Sequence, residues 1–298
     1  MSKYVFFLIL SLLPTASIAK LDIFACAPEW GALAKEIGGE EVNVFTASKA
    51  SQDIHHLRAK PSFLAKMRKT ELVFCTGASL EAGWLPVLLQ KAGGAKVQAG
   101  QVGHLLASEY VERLEQAESV DRSMGDVHGE GNPHIHLNPH NLILIADELA
   151  ERLSILSPDK EKYFNNRLEN FKINWQQYIE DWKQKAQSLT NKYVVVYHQN
   201  WIYLLKWLNI NRVTTLEPVP GMPPRISHLE NVLASVKNQD ITAILLTPYQ
   251  QNKAAAWLSE HANIPVVTLP YTVGGSKNVT DLKSLFDETL QLLLEASS

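Results

Sequence analysis

Between residues 131 and 140 the chain reads Gly-Asn-Pro-His-Ile-His-Leu-Asn-Pro-His, three imidazoles within ten positions. The prolines fix φ and keep the residues before them extended, so His134 is expected on a stiff loop rather than on a helix face. Neutral imidazole is the commonest side-chain ligand for transition metals, and a stiff loop can hold such a donor before an ion arrives. Two further histidines stand where strand-like runs end. The stretch after Val44-Phe45 carries Ser51-Gln52-Asp53-Ile54-His55-His56, and Val194-Val195-Val196-Tyr197 runs directly into His198. Histidines from three separate places can converge on one ion, whereas adjacent or alternate ones usually face different sides. His55, His134 and His198 are therefore the candidate metal donors. His56, His136 and His140 are expected beside them or in solvent, and His104, His228 and His261 as ordinary hydrogen-bonding residues.

Such donors need a frame. Residues 4–13 form an apolar run behind Lys3, followed by Pro14 and Ala16-Ser17-Ile18-Ala19, which reads as a signal peptide cleaved after Ala19. No later stretch approaches the roughly 20 apolar residues of a membrane helix. With no cysteine directly after the cut, the expectation is a free periplasmic protein without a lipid anchor. The mature 279 residues carry 27 basic against 31 acidic side chains, which offers no basic face for nucleic acid. Both cysteines, Cys26 and Cys75, end strand-like runs; they are either two buried thiols or a disulfide favoured by an oxidising compartment.

Strand-like runs at 21–26, 42–45 and 72–75 alternate with helical patterns at 28–37, 61–69, 80–91 and 141–153. After Ser157-Pro158, apolar residues recur every three or four positions through Phe164, Leu168, Phe171, Trp175, Tyr178, Trp182, Ala186 and Leu189. That is a rod of about 46 Å. The alternation then resumes, with strands at 193–197, 243–246 and 266–269 and helices at 201–208, 226–237, 252–261 and 280–294. The expected architecture is α/β: two lobes, each a parallel-sheet sandwich, at 20–156 and 191–298, linked by one long backbone helix at 157–190.

These residues resemble the zinc- and manganese-binding solute receptors of bacterial ABC transporters. Asp53-Ile54-His55 with Pro61, Asn132-Pro133-His134 with Asn138-Pro139, His198 with Trp201 and Tyr203, and Glu217-Pro218-Val219-Pro220-Gly221 match motifs of that family. The resemblance covers essentially the whole mature chain. It implies a metal ion held between the lobes by His55 and His134 from the first and His198 from the second, and delivery to the importer's membrane permease. In the family a histidine at the third position accompanies zinc, and a carboxylate there accompanies manganese; imidazole nitrogen suits Zn2+ better than Mn2+. A periplasmic metallochaperone is a conceivable loader, and the receptor is expected to act as a monomer.

Two features depart from the family pattern. In place of a long acidic, histidine-rich loop, residues 121–130 offer only His128, with Asp126 and Glu130, as a capture group. The aspartate usual after the last strand is absent from Leu269-Pro270-Tyr271-Thr272-Val273-Gly274-Gly275. The fourth donor is then Asp281, the first acid after that loop, or water, although an acid there equally suits a helix N-terminus. Glu217 could accept the free ring N–H of a ligand histidine or cap a helix. An exported zinc hydrolase would need an open coordination position and a general base, and neither His-Glu-x-x-His nor Gly-x-Ser-x-Gly occurs. A surface adhesin on the same fold is the remaining alternative.

Overall fold

The computed structural model describes residues 19–116, 125–126 and 128–298. The signal-peptide assignment falls almost wholly outside these residues. The first sheet is built from β1 (Leu21–Ala25), β2 (Val42–Thr46), β3 (Leu72–Cys75) and β4 (His104–Leu106), in the order β2-β1-β3-β4. Its connections run through α1 (Pro28–Gly38), α2 (Pro61–Met67) and α3 (Leu85–Ala92), and α4 (Pro139–Leu156) follows. The long helix α5 (Glu161–Lys185) comes next, with a 3-10 turn before and after it. The second sheet repeats the order as β6-β5-β7-β8, from β5 (Tyr193–Val196), β6 (Asn211–Thr215), β7 (Ile241–Leu246) and β8 (Val266–Thr268). Helices α6 (Ile202–Leu208), α7 (Ile226–Val236), α8 (Lys253–Ala262) and α9 (Leu282–Ala296) accompany it. Every strand pairing is parallel, so the expected pair of parallel α/β sandwiches and the long helix are both present.

The central strands β1, β3, β5 and β7 are largely apolar on both faces because helices cover both. Period-two alternation then sends successive side chains to different cores. On β3, Leu72 and Phe74 join a central apolar cluster, whereas Val73 and Cys75 join an outer one with Phe24, Phe63 and Trp84. On β7, Ala243 and Leu245 face the same central cluster, and Ile244 and Leu246 an outer one with Leu229 and Leu258. The central cluster therefore runs through both lobes, and α5 lies along it. Phe171, Trp175 and Trp182 of α5 are buried in it. Trp175 donates its indole N–H to the carbonyl of Pro139 (2.9 Å) and Trp182 to Asp287 of α9 (2.8 Å).

Cys26 and Cys75 are joined as a disulfide, with a Cα–Cα distance of 4.8 Å. They stand at the carboxyl ends of the adjacent strands β1 and β3. In sheets of this kind ligands gather beyond the carboxyl ends of the strands. No helix among the described residues is long and apolar enough to cross a membrane.

Candidate metal centre

Three loops at strand carboxyl ends bring His55, His134 and His198 together. One ligand atom from each lies within 4.8 Å of the other two. Their ring centroids form a nearly equilateral triangle of 5.5, 5.5 and 5.8 Å. Each ring is held by its Nδ1. That of His134 is 2.6 Å from the Tyr271 hydroxyl, that of His198 is 2.6 Å from Glu217 Oε2, and that of His55 is 3.3 Å from His128 Nε2. With Nδ1 engaged, Nε2 is the nitrogen each ring has left to offer an ion. The Nε2 of His55 is buried and has no hydrogen-bond partner among the described residues. A buried polar atom left orphaned is costly unless something occupies its lone pair. A cavity of about 30 Å³, lined by His134, His198, His128 and Asp126, adjoins the triangle. It has room for about one water-sized body.

Each loop is built to aim its ring. Asp53 caps the short 3-10 turn that carries His55, accepting from the His55 N–H at 3.0 Å. Asn132 performs the same role for His134, its Oδ1 taking the His134 N–H at 3.1 Å. The Asn132 side-chain amide donates to the Gln199 carbonyl (2.7 Å), and Tyr203 donates its hydroxyl to the Asn132 carbonyl (2.7 Å). The aromatic residue that follows His198 thus ties the second lobe to the loop of His134. Burial pushes the Tyr203 phenol up to about 12, so it remains a neutral donor. Glu217 receives both His198 Nδ1 and the N–H of Gly221 (2.8 Å). Gly221 sits at φ +78°, where a Cβ would collide with the Asp126 carboxylate, so the turn needs glycine there.

Burial, followed by the proximity of the other imidazoles, holds His55 and His134 well below the usual histidine range. Both are neutral at pH 7 and present lone pairs. Burial raises the Asp53 carboxyl, with the His55 N–H opposing it.

The remaining candidates separate clearly. Glu217 contacts a candidate ligand, and His128 lies beside another. Asp281 does not belong to the group, which corrects the expectation of a carboxylate donor from that position. It is the N-cap of α9, where its carboxylate accepts from the Ser284 N–H (2.7 Å) and the Ser284 hydroxyl oxygen in turn accepts from the Asp281 N–H. It lines a different cavity, with Glu36, Phe171 and Tyr178. The capping energy of a free helix N-terminus accounts for an acid at that position. His136 takes the first of its two expected places, beside the donors: it is buried, with Nε2 2.9 Å from the Tyr271 carbonyl and Nδ1 3.5 Å from Glu29. His140 and His56 are exposed. His104, His228 and His261 make local bonds to the carbonyls of Val97, Thr215 and Trp257. Sequence reasoning did not single out Tyr271 or Glu29; nothing in their spacing marks either of them.

Known proteins share this plan. The manganese ABC transporter substrate-binding lipoprotein PsaA of Streptococcus mitis is 21% identical over 265 residues, covering 86% of this chain and 82% of that protein. The zinc-binding lipoprotein AdcA of Streptococcus pneumoniae is 22% identical over 231 residues, 77% of this chain and 46% of AdcA. A crystal structure of ZnuA superposes with a TM-score of 0.78 at 21% identity, over 94% of this chain and all of that one. The Mn-bound periplasmic metal binding protein from Candidatus liberibacter asiaticus gives 0.76 at 15% identity, with the same coverage. Residues 23–296 match the family model described as zinc-uptake complex component A, periplasmic. The chain belongs to that family, and it is a metal-binding solute receptor of an ABC transporter, working with permease and ATPase components rather than as an enzyme.

Proposed function

We propose that the cargo is Zn2+, captured between the two lobes by the Nε2 atoms of His55, His134 and His198 and handed to the importer's permease at the periplasmic face of the membrane. One observation carries this reading: among the described residues the convergent donor group consists of three imidazoles and no carboxylate. Zn2+ is commonly held in tetrahedral sites by nitrogen and sulfur donors, whereas Mn2+ favours sites richer in oxygen. Three rings leave one tetrahedral position, which water fills. His128, half-buried and lining the adjoining cavity, receives the ion before the three donors do. Glu217 strengthens His198 as a donor by taking its Nδ1–H. The working unit is a monomeric mature chain beginning at Lys20, its lobes at 20–156 and 191–298 joined by the helical segment 157–190.

Purification without chelator, followed by metal analysis and thermal melting, tests the proposal. Zinc should bind at one equivalent, and at a thousand times its dissociation constant it should stabilise the fold by about 4 kcal/mol. A melting temperature raised by manganese and unmoved by zinc would overturn the assignment.

A further inference from the structure

Tyr271 follows β8 in the second lobe, where its ring meets Trp201 and Tyr249 edge-on, and its other side reaches residues of the first. Its ring meets His134 edge-on at 5.5 Å and His136 at 5.0 Å, and its hydroxyl is 2.6 Å from His134 Nδ1. The main chain around it is clamped. His136 Nε2 lies 2.9 Å from the Tyr271 carbonyl, and the next residue, Thr272, donates its hydroxyl to Glu29 Oε2 at 2.5 Å. Glu29, His136 and Thr272 are all buried, so these bonds form in a medium that strengthens them and penalises leaving them unmade. Glu29 and His136 come from α1 and the histidine loop of the first lobe. The phenol is therefore fixed at both its oxygen and its backbone.

Resting on the zinc reading above, we propose that Tyr271 is the positioning residue for His134, setting its tautomer and tilt from across the lobe boundary. An imidazole that binds an ion through Nε2 carries its proton on Nδ1 and must donate it. The Tyr271 oxygen is the acceptor within reach. His134 differs in this from His198, whose acceptor Glu217 lies in its own lobe. One of the two donors of the first lobe is aimed by the second, so the three nitrogens come into register only when the lobes are seated together.

Tyr271→Phe removes the hydroxyl and leaves the ring packing. It should weaken zinc binding by at least tenfold while leaving the melting temperature of the zinc-free protein within a few degrees of the parent. In a His134→Ala background the same change should cost nothing further, because the hydroxyl then has no ring to position. Wild-type zinc affinity in Tyr271→Phe, or an equal loss in both backgrounds, overturns the assignment. A second readout does not depend on the metal. Nitrogen-15 spectra of the zinc-free protein should show the His134 Nδ1 resonance displaced by Tyr271→Phe, with the His198 Nδ1 resonance unmoved; an undisturbed His134 resonance also overturns it. Absence of zinc binding by the unaltered protein, with the resonance displaced as expected, would instead refute the zinc reading and leave the positioning role standing.

Discussion

The two sheets share one strand order and place their central strands alike, but they are finished differently at the carboxyl ends. In the first, a disulfide joins the ends of the two central strands at Cys26 and Cys75. In the second, the equivalent neighbours are Tyr197 and Leu246, which form no covalent link. The cross-linked lobe contributes two of the three imidazoles; the other contributes a single ring backed by a carboxylate, together with the Tyr271 hydroxyl. The contrast is between a fixed platform holding two donors and a partner that completes and aims the set. Rigidity and donor strength are supplied from different sides of the cleft.

The largest effect is expected where the platform is uncoupled. The cross-link closes a loop of sequence separation 49, for which chain entropy gives about 4 kcal/mol. Cys26→Ala with Cys75→Ala should therefore lower the thermal midpoint by roughly 10 °C and leave zinc affinity within about threefold. A parallel collapse of affinity would mean that the disulfide shapes the site itself. Next comes His198→Ala, which leaves two donors on one lobe. Zinc affinity, measured against a competing chelator, should fall at least a hundredfold, about 2.7 kcal/mol, while the zinc-free protein keeps its melting temperature. Wild-type affinity would dismiss a site shared between lobes.

Acid sharpens the same contrast. The folded-state values of His55 and His134 are held below their ordinary range by burial. Below about pH 6.5 the unfolded chain takes up protons that the folded chain resists, so stability present above that pH is lost as pH falls towards the folded values. The zinc-free protein should melt progressively lower from pH 7 to pH 5, and the loss should shrink in His134→Asn. An identical pH dependence in that variant would show that the buried ring does not contribute. Protons also compete with zinc for the same nitrogens, so the metal should leave over this interval. The smallest effect belongs to Asp281→Ala. Loss of an N-cap should cost about 1 kcal/mol of stability with zinc affinity unchanged in the chelator titration; a weakened site would return that carboxylate to the donor set.

Much of this arrangement is legible in the chain. The apolar runs of β1, β3, β5 and β7 announce central strands because both of their faces are covered. The edge strands are harder to read. β4 has only three residues, His-Leu-Leu, and β6 is Asn-Arg-Val-Thr-Thr, polar enough to pass for a loop. An edge strand is half solvated, so it carries no long apolar signature. The three histidines stand out because proline, strand ends and Asx caps surround them. Tyr271, Glu29 and His136 do not, since their significance lies in contacts between residues 135 to 243 positions apart. Asp281 misleads for a related reason: an acid beginning a helix looks the same in sequence whether it binds metal or caps the turn.

The central apolar cluster, which takes the inner face of each sheet and the buried side of α5 in one contiguous body, bears on how the molecule comes apart. The inner faces are covered by α1 in the first lobe and α9 in the second, and α5 joins these layers into the one cluster. Halves of such a molecule are poor folding units, and the whole unfolds as one cooperative body rather than as two beads on a string. Hinged opening of such a receptor would wet part of this contiguous apolar cluster. Surrender of the ion then falls to the thin layer of loops at the strand ends, where hydrogen bonds can be exchanged for those of a docked transporter while the hydrophobic body beneath stays closed.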